Sequence, residues 1–220
     1  MPTNYPSIIQ ADELIARAQI QRIIIIDASA GPGAYDRYLA QHLAGALYTD
    51  LNTDLASIPE DPANGGRHPL PSIQDFAMVL GKLGLSAQSH VIIYDDRGGS
   101  NAAARFWWML RAAGHKKVQV LNGGMAAALK KGWPVRAGAE TAAPAQPYSF
   151  THWQLPTATM AEVESAASSN DFVVIDVRDK DRFSGLTEPI DLVAGHIPGA
   201  VNMPFAANLD KDGLFYLPEP

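Results

Sequence analysis

Three short apolar runs organise the first 136 residues. Ile23-Ile24-Ile25-Ile26 ends in Asp27, Val91-Ile92-Ile93-Tyr94 ends in Asp95, and a third run spans Lys117 to Leu121. Runs this short, continuous and β-branched predict strands buried on both faces of a parallel sheet. Helical patterns alternate with them. Ile8 to Ala18 opens with Asp12 and Glu13, and Tyr35 to Leu43 is a short helix or an irregular segment. Ile73 to Leu83 is introduced by Ser72 and stopped at Gly84, and Met125 to Lys131 follows Asn122-Gly123-Gly124. Residues 50–72, rich in Asp, Asn, Pro and Gly, read as a long surface loop. Alternating strands and helices predict an α/β fold with helices on both faces of the sheet. Such sheets bind ligands at the carboxyl ends of their strands.

Val91 to Gly114 is the pivotal stretch: a strand, a tight polar loop from Asp95 to Ser100, and a helix from Ala102 to Ala113. Ser100 or Asn101 is placed to cap that helix, and Gly114 to stop it. A loop that turns a strand straight into a helix aims several amides at one spot, and the positive helix end faces the same spot. Asp95 opens the loop and projects into this anion cradle. The structural reading makes its carboxylate the acceptor for the loop amides; an acid catalyst or metal ligand is the alternative. Arg97 is a solvated charge or a partner for Asp96. His42 and His196 precede turns and are expected to bond backbone. Phe106, Trp107 and Trp108 stand at helical spacing as core or domain-interface residues. No GxGxxG and no GxxxxGK phosphate loop is present, which disfavours nucleotide binding.

Residues 137–147, AGAETAAPAQP, lack periodicity and are expected to link two domains, residues 1–136 and 148–220. Beyond them the opening unit begins again. Thr159 to Ser168 repeats the first helix, Phe172 to Asp176 repeats Ile23 to Asp27, and His196-Ile197-Pro198-Gly199-Ala200-Val201 repeats the stretch from His42. Asp27 and Asp176 lie 149 positions apart, His42 and His196 lie 154 apart, as duplicated domains with one loop insertion would. Asp95 follows His42 by 53 positions, so its counterpart falls near position 249, past Pro220. The second domain is therefore expected to be incomplete in this chain. Its bare sheet edge should need a separate C-terminal fragment or another copy to complete it.

Composition narrows the chemistry. Apolar content of 47% suits a globular core, and the net charge of −6 disfavours nucleic acid and anionic membranes as partners. No run of 18 apolar residues and no basic-then-apolar leader occurs, so the expected location is cytoplasmic. Cysteine is absent, which removes disulfides, thiolate metal sites and thiol nucleophiles from these 220 residues.

The HxxGA segments from His42 and His196, the aspartate-ended strands and the strand–loop–helix stretch resemble rhodaneses. YDDRGGSNAAARFWWMLRAAGHKKVQVLNGGMAAALKKGWPV is similar to the first domain of the tandem thiosulfate and 3-mercaptopyruvate sulfurtransferases. The resemblance implies two rhodanese-like domains, each a mostly parallel sheet flanked by helices. It implies transfer of a sulfane sulfur from thiosulfate or 3-mercaptopyruvate to cyanide or a thiol, without cofactor or metal. The transfer would run through a cysteine persulfide at the start of the second domain's loop. Asp95 takes that nucleophile position in the first domain, so this chain holds no catalytic residue of its own. Arg182 matches the family arginine that binds the anionic donor. The expected cysteine lies about 29 positions past Pro220, give or take about ten. The alternative is a non-catalytic, rhodanese-like binding or regulatory module.

Overall fold

The computed structural model describes residues 5–217 apart from 64, 144, 146 and 147. The chain forms two compact units, residues 1–155 and 156–220. In the first, β1 (Ile8–Ile9), α1 (Ala11–Ala18), β2 (Ile23–Asp27), α2 (Ala34–Ala40), β3 (His42–Leu43) and β4 (Ala46–Tyr48) precede the long loop. After it come α3 (Ile73–Lys82), β5 (His90–Tyr94), α4 (Ala102–Ala112), β6 (Val118–Leu121), α5 (Gly124–Lys130) and β7 (Val135–Arg136). Five strands make a parallel sheet in the order β1-β6-β5-β2-β4, and β3 pairs antiparallel with β7. The two isoleucine-rich runs, β2 and β5, lie side by side in its middle, which is why they carry no polar alternation. Ile25 and Ile92 face a core with Ile9, Leu14, Leu43, Leu121 and Ala128. Phe76 of α3 meets Phe106 of α4 edge to face.

Three expectations change. Ile8 and Ile9, expected to begin a helix, instead pair with Val120 and Leu121 as the edge strand β1; Gln10 is extended, so α1 starts only at Ala11. Asn101 stands at the cap of α4 but its side chain makes no capping bond, and the Ser100 hydroxyl donates to the Arg97 carbonyl. The domain break falls at Leu155/Pro156 rather than within 137–147. The Gly138 amide donates to the Leu39 carbonyl and the Glu140 amide to the Tyr38 hydroxyl, which ties the expected linker to the first unit. Tyr148 bonds His115 through its hydroxyl, Phe150 and Trp153 pack on Phe76, and Trp153 stacks on Trp108. These aromatics belong to the first unit's core, so the chain separates only after them. Residues 144, 146 and 147 lie outside the described residues.

The second unit contains α6 (Met160–Ala167), β8 (Ile175–Asp176), α7 (Lys180–Phe183), β9 (Val201–Asn202) and a 3-10 turn at Phe205–Asn208. Thr159 and Glu162 cap α6 reciprocally. Shifted by 149 positions, α1 falls on α6 residue for residue. The pairing of Ile26–Asp27 with Leu47–Tyr48 recurs as Ile175–Asp176 with Val201–Asn202. The Thr49 amide donates to the Asp27 carbonyl, as the Met203 amide does to the Asp176 carbonyl. The duplication is thus written in backbone register as well as in sequence. The strand expected over Phe172–Asp176 shrinks to two residues. β2 lies between β5 and β4, whereas among the described residues β8 has β9 alone beside it. Phe172 and Val173 are accordingly 66% and 68% exposed. Among the described residues no helix is long and apolar enough to cross a membrane.

Candidate functional site

The loop after β5 is built around Asp95, whose carboxylate is buried. One oxygen accepts the Arg97 and Gly99 amides at 2.9 and 2.8 Å, and the other accepts those of Asn101 and Ala103, both at 3.0 Å. The last two open α4, so Asp95 caps that helix from across the loop, in place of Ser100 or Asn101. Asn122-Gly123-Gly124 seats the loop from below. The Gly123 amide donates to the Gly98 carbonyl, and a Cβ on Gly124, at φ +55°, would stand 2.7 Å from the Asp95 carbonyl oxygen. Side chains are excluded there twice over, by the backbone angle and by the space. The arrangement is a four-donor anion cradle that holds its own carboxylate.

Beside it, Asp27 ends β2 and accepts the Ser29 amide at 2.8 Å. Burial pushes its carboxyl above the usual range, partly offset by hydrogen bonds from Ser29 and Tyr94. Arg37 of α2 donates from Nη2 to Asp96 Oδ2 at 2.9 Å. Asp96 therefore pairs with Arg37, not with Arg97. Tyr38 stacks on His42 with centroids 4.2 Å apart, and His42 Nδ1 bonds the Tyr38 carbonyl.

The second unit repeats this frame. Asp176 accepts the Arg178 amide at 2.9 Å, as Asp27 accepts that of Ser29. Phe183 stacks on His196 at 3.7 Å, and His196 Nδ1 bonds the Phe183 carbonyl. Both histidines bond backbone, as their position before a turn predicts. The stacked pairs align Tyr38 with Phe183 and hence Arg37 with Arg182. Thirteen positions separate Phe183 from His196 where four separate Tyr38 from His42, and the extra residues carry Glu188 and Asp191. Arg182 donates from Nη2 to Glu188 Oε1 at 2.8 Å and to Asp191 Oδ2 at 2.9 Å. Arg178 binds both oxygens of Asp176 and holds its carboxyl below the usual range. Glu188 accepts the Asp191 and Ile190 amides besides Arg182, which brings its carboxyl down to about 2. Among the described residues no three His, Cys, Asp or Glu side chains gather as metal ligands would.

A family model for the rhodanese-like domain matches residues 10–131 and 159–219. The chain belongs to the rhodanese family. Among its rhodanese relatives, 3-mercaptopyruvate sulfurtransferase of Mus musculus is 36% identical over 219 residues, covering 95% of this chain and 71% of that protein. Thiosulfate sulfurtransferase of Bos taurus is 38% identical over 204 residues, covering 89% and 66%. SseA from Escherichia coli superposes with a TM-score of 0.76 at 30% identity, over 97% of this chain and 80% of that one. The 3-mercaptopyruvate sulfurtransferase from Leishmania major gives a TM-score of 0.76 at 27% identity, over 99% and 60%. This rhodanese chain thus spans 60% to 80% of these two structures.

Two elements of the rhodanese frame escape the sequence reading. Arg37 is one. Its signal was present, an arginine followed by an aromatic and then by HxxGA, a pattern that recurs at Arg182-Phe183 ahead of His196. The acidic pair on Arg182 is the other. Glu188 and Asp191 lie in a segment without periodicity, and only the closed loop brings them to the guanidinium.

Proposed function

We propose that this chain is the leading part of a tandem sulfurtransferase. The complete protein moves a sulfane sulfur from thiosulfate or 3-mercaptopyruvate to cyanide or a thiol. The sulfur passes through a persulfide on a cysteine that follows Pro220, at the second unit's counterpart of Asp95. One observation carries the reading: the first unit displays the finished cradle, and the second repeats the same register and aspartate turn that lead up to it. In such a cradle four amides and a helix start favour a thiolate over a thiol and stabilise a persulfide anion. In the first unit Asp95 takes the nucleophile position, so that unit is structural.

Arg182 binds the anionic donor on this proposal. The support is its counterpart, Arg37, which reaches Asp96, the residue next to Asp95. A guanidinium at the matching place stands beside the nucleophile and offers paired donors to sulfonate-like or carboxylate oxygens. Glu188, the more buried of its two partners, orients it, while Asp191 is the partner a donor displaces.

The test compares two polypeptides. The 220-residue chain, given thiosulfate and cyanide, is expected to form no thiocyanate. A chain extended through the second unit's counterpart of α5 is expected to turn over, and its Arg182→Ala variant to show a raised KM for the donor. Thiocyanate formed by the 220-residue chain overturns the proposal. The second reading, a non-catalytic binding or regulatory module, draws on the absence of cysteine from the chain and on the filled cradle at Asp95. A stop codon directly after the Pro220 codon selects it.

A further inference from the structure

The first unit carries a cleft of about 520 Å³ at the amino end of its sheet, opposite the Asp95 loop. Its walls come from three adjacent strand starts and one turn. Arg22 precedes β2, His90 begins β5, Lys117 precedes β6, and Ser86 and Ser89 belong to the turn between α3 and β5. Among the described residues no carboxylate lines it, in a chain whose net charge is −6.

Of the two cations there, Arg22 is uncommitted and Lys117 is held by a neutral residue alone. Arg37, Arg105, Arg111, Arg136, Arg178 and Arg182 each bond a carboxylate or a carbonyl. Arg22 makes no hydrogen bond or ion pair among the described residues and borders a second, smaller cleft of about 150 Å³. Lys117 Nζ donates to the neutral Gln88 alone among the described residues, at 3.2 Å to its side-chain oxygen and 3.5 Å to its carbonyl. The floor is fixed and uncharged. Gln21 Nε2 donates to His90 Nδ1 at 2.6 Å, so His90 Nε2 carries the proton and donates to Gln119 Oε1 at 3.0 Å. The Ser86 and Ser89 hydroxyls bond one another at 3.2 Å, which leaves one hydroxyl proton as a donor at the rim.

We infer that this cleft binds a phosphate group, either free phosphate or the head of a small phosphate monoester. A dianion matches a paired-donor guanidinium, an ammonium and a hydroxyl donor with no acid among the described residues around them. The volume lies within the range of about 300–1,000 Å³ common to small-molecule sites. Nothing in the inference depends on sulfur transfer.

The experiment is an amide NMR titration of the 220-residue chain at constant ionic strength. Inorganic phosphate, glycerol 3-phosphate and malonate are the three ligands. Saturable shifts are expected at the amides of Arg22, Ser86, Ser89, His90 and Lys117 with both phosphates, and weaker ones with malonate. Tighter binding of the monoester identifies an organic ligand, and equal binding identifies free phosphate. Arg22→Gln, an exposed change that leaves the core intact, is expected to weaken phosphate binding by about tenfold, the loss of one paired charge-assisted contact. Arg136→Gln, at an exposed arginine elsewhere on the same unit, is expected to change it by less than about twofold. Shifts that never saturate, shifts spread over other basic residues, or unaltered binding in Arg22→Gln would overturn the inference.

Discussion

Replacing Asp95 by alanine strands four amide donors in a loop with no other acceptor in place. The carboxylate is 1% exposed and its four bonds measure 2.8 to 3.0 Å. A hydrogen bond to a charged group contributes about 1.5–3 kcal/mol, but water entering the vacated space recovers part of that. Loss of the cap on α4 alone costs about 1 kcal/mol. The expected total for Asp95→Ala is about 4 kcal/mol, a large share of the roughly 5–15 kcal/mol that holds a domain folded. Asp95→Asn keeps one acceptor oxygen but turns an NH₂ toward two amides, so about 2–3 kcal/mol is expected. Urea unfolding followed by tryptophan fluorescence reads both losses, since all four indoles, Trp107, Trp108, Trp133 and Trp153, lie in the first unit. Asp95→Cys is the sharper probe, because it introduces the only thiol of the chain. The four amides and the start of α4 should pull that thiol below its ordinary pKa of about 8.5, which the pH dependence of alkylation by iodoacetamide measures. An alanine variant within about 1 kcal/mol of the parent, or a thiol titrating at or above its ordinary value, would refute the cradle argument.

Three further outcomes follow from the same geometry. Burial holds His90 and His115 below the ordinary histidine range, so below about pH 6.5 the unfolded chain takes up protons that the folded unit resists. First-unit stability should be full above that pH and fall as pH drops through it, a slope that His90→Gln with His115→Gln flattens in urea midpoints measured across pH 5–8. Arg105 donates to the carbonyls of Leu55, His68 and Pro69 and so staples the long loop to α4. Arg105→Met should cost about 2 kcal/mol and speed proteolysis within residues 56–70, and an unchanged cleavage rate would dismiss the staple. Glu188, held down to about 2, contributes above the usual glutamate range and loses that contribution as pH falls toward 2. Its carboxyl carbon shift in NMR should therefore titrate well below the usual glutamate range.

The strands β2 and β5 were legible because a central parallel strand is buried on both faces and therefore writes itself as an unbroken apolar run. The Asp95 cradle was legible for a covalent reason: a strand that turns into a helix within six residues has nowhere else to aim its amides. β1 was not legible, since two isoleucines before a helix are ambiguous until the β6 edge lies beside them. The cap of α4 was misplaced because the true acceptor stands six residues before Asn101 and reaches it only in the closed loop. The domain break was misplaced because Tyr148, Phe150 and Trp153 find their partners, His115, Phe76 and Trp108, far back in the chain.

By itself the sequence determined the α/β class, the duplication, the lack of a thiol and the acidic residue that opens the loop after β5. Each is a local or periodic property, readable wherever covalent spacing alone dictates the outcome. The tertiary structure decided which charges meet: Asp95 with four amides, Arg37 with Asp96, Arg182 with Glu188 and Asp191, and Arg22 with none among the described residues. Pairings of this kind depend on chain closure, which brings together residues whose separation along the sequence carries no signal of their contact.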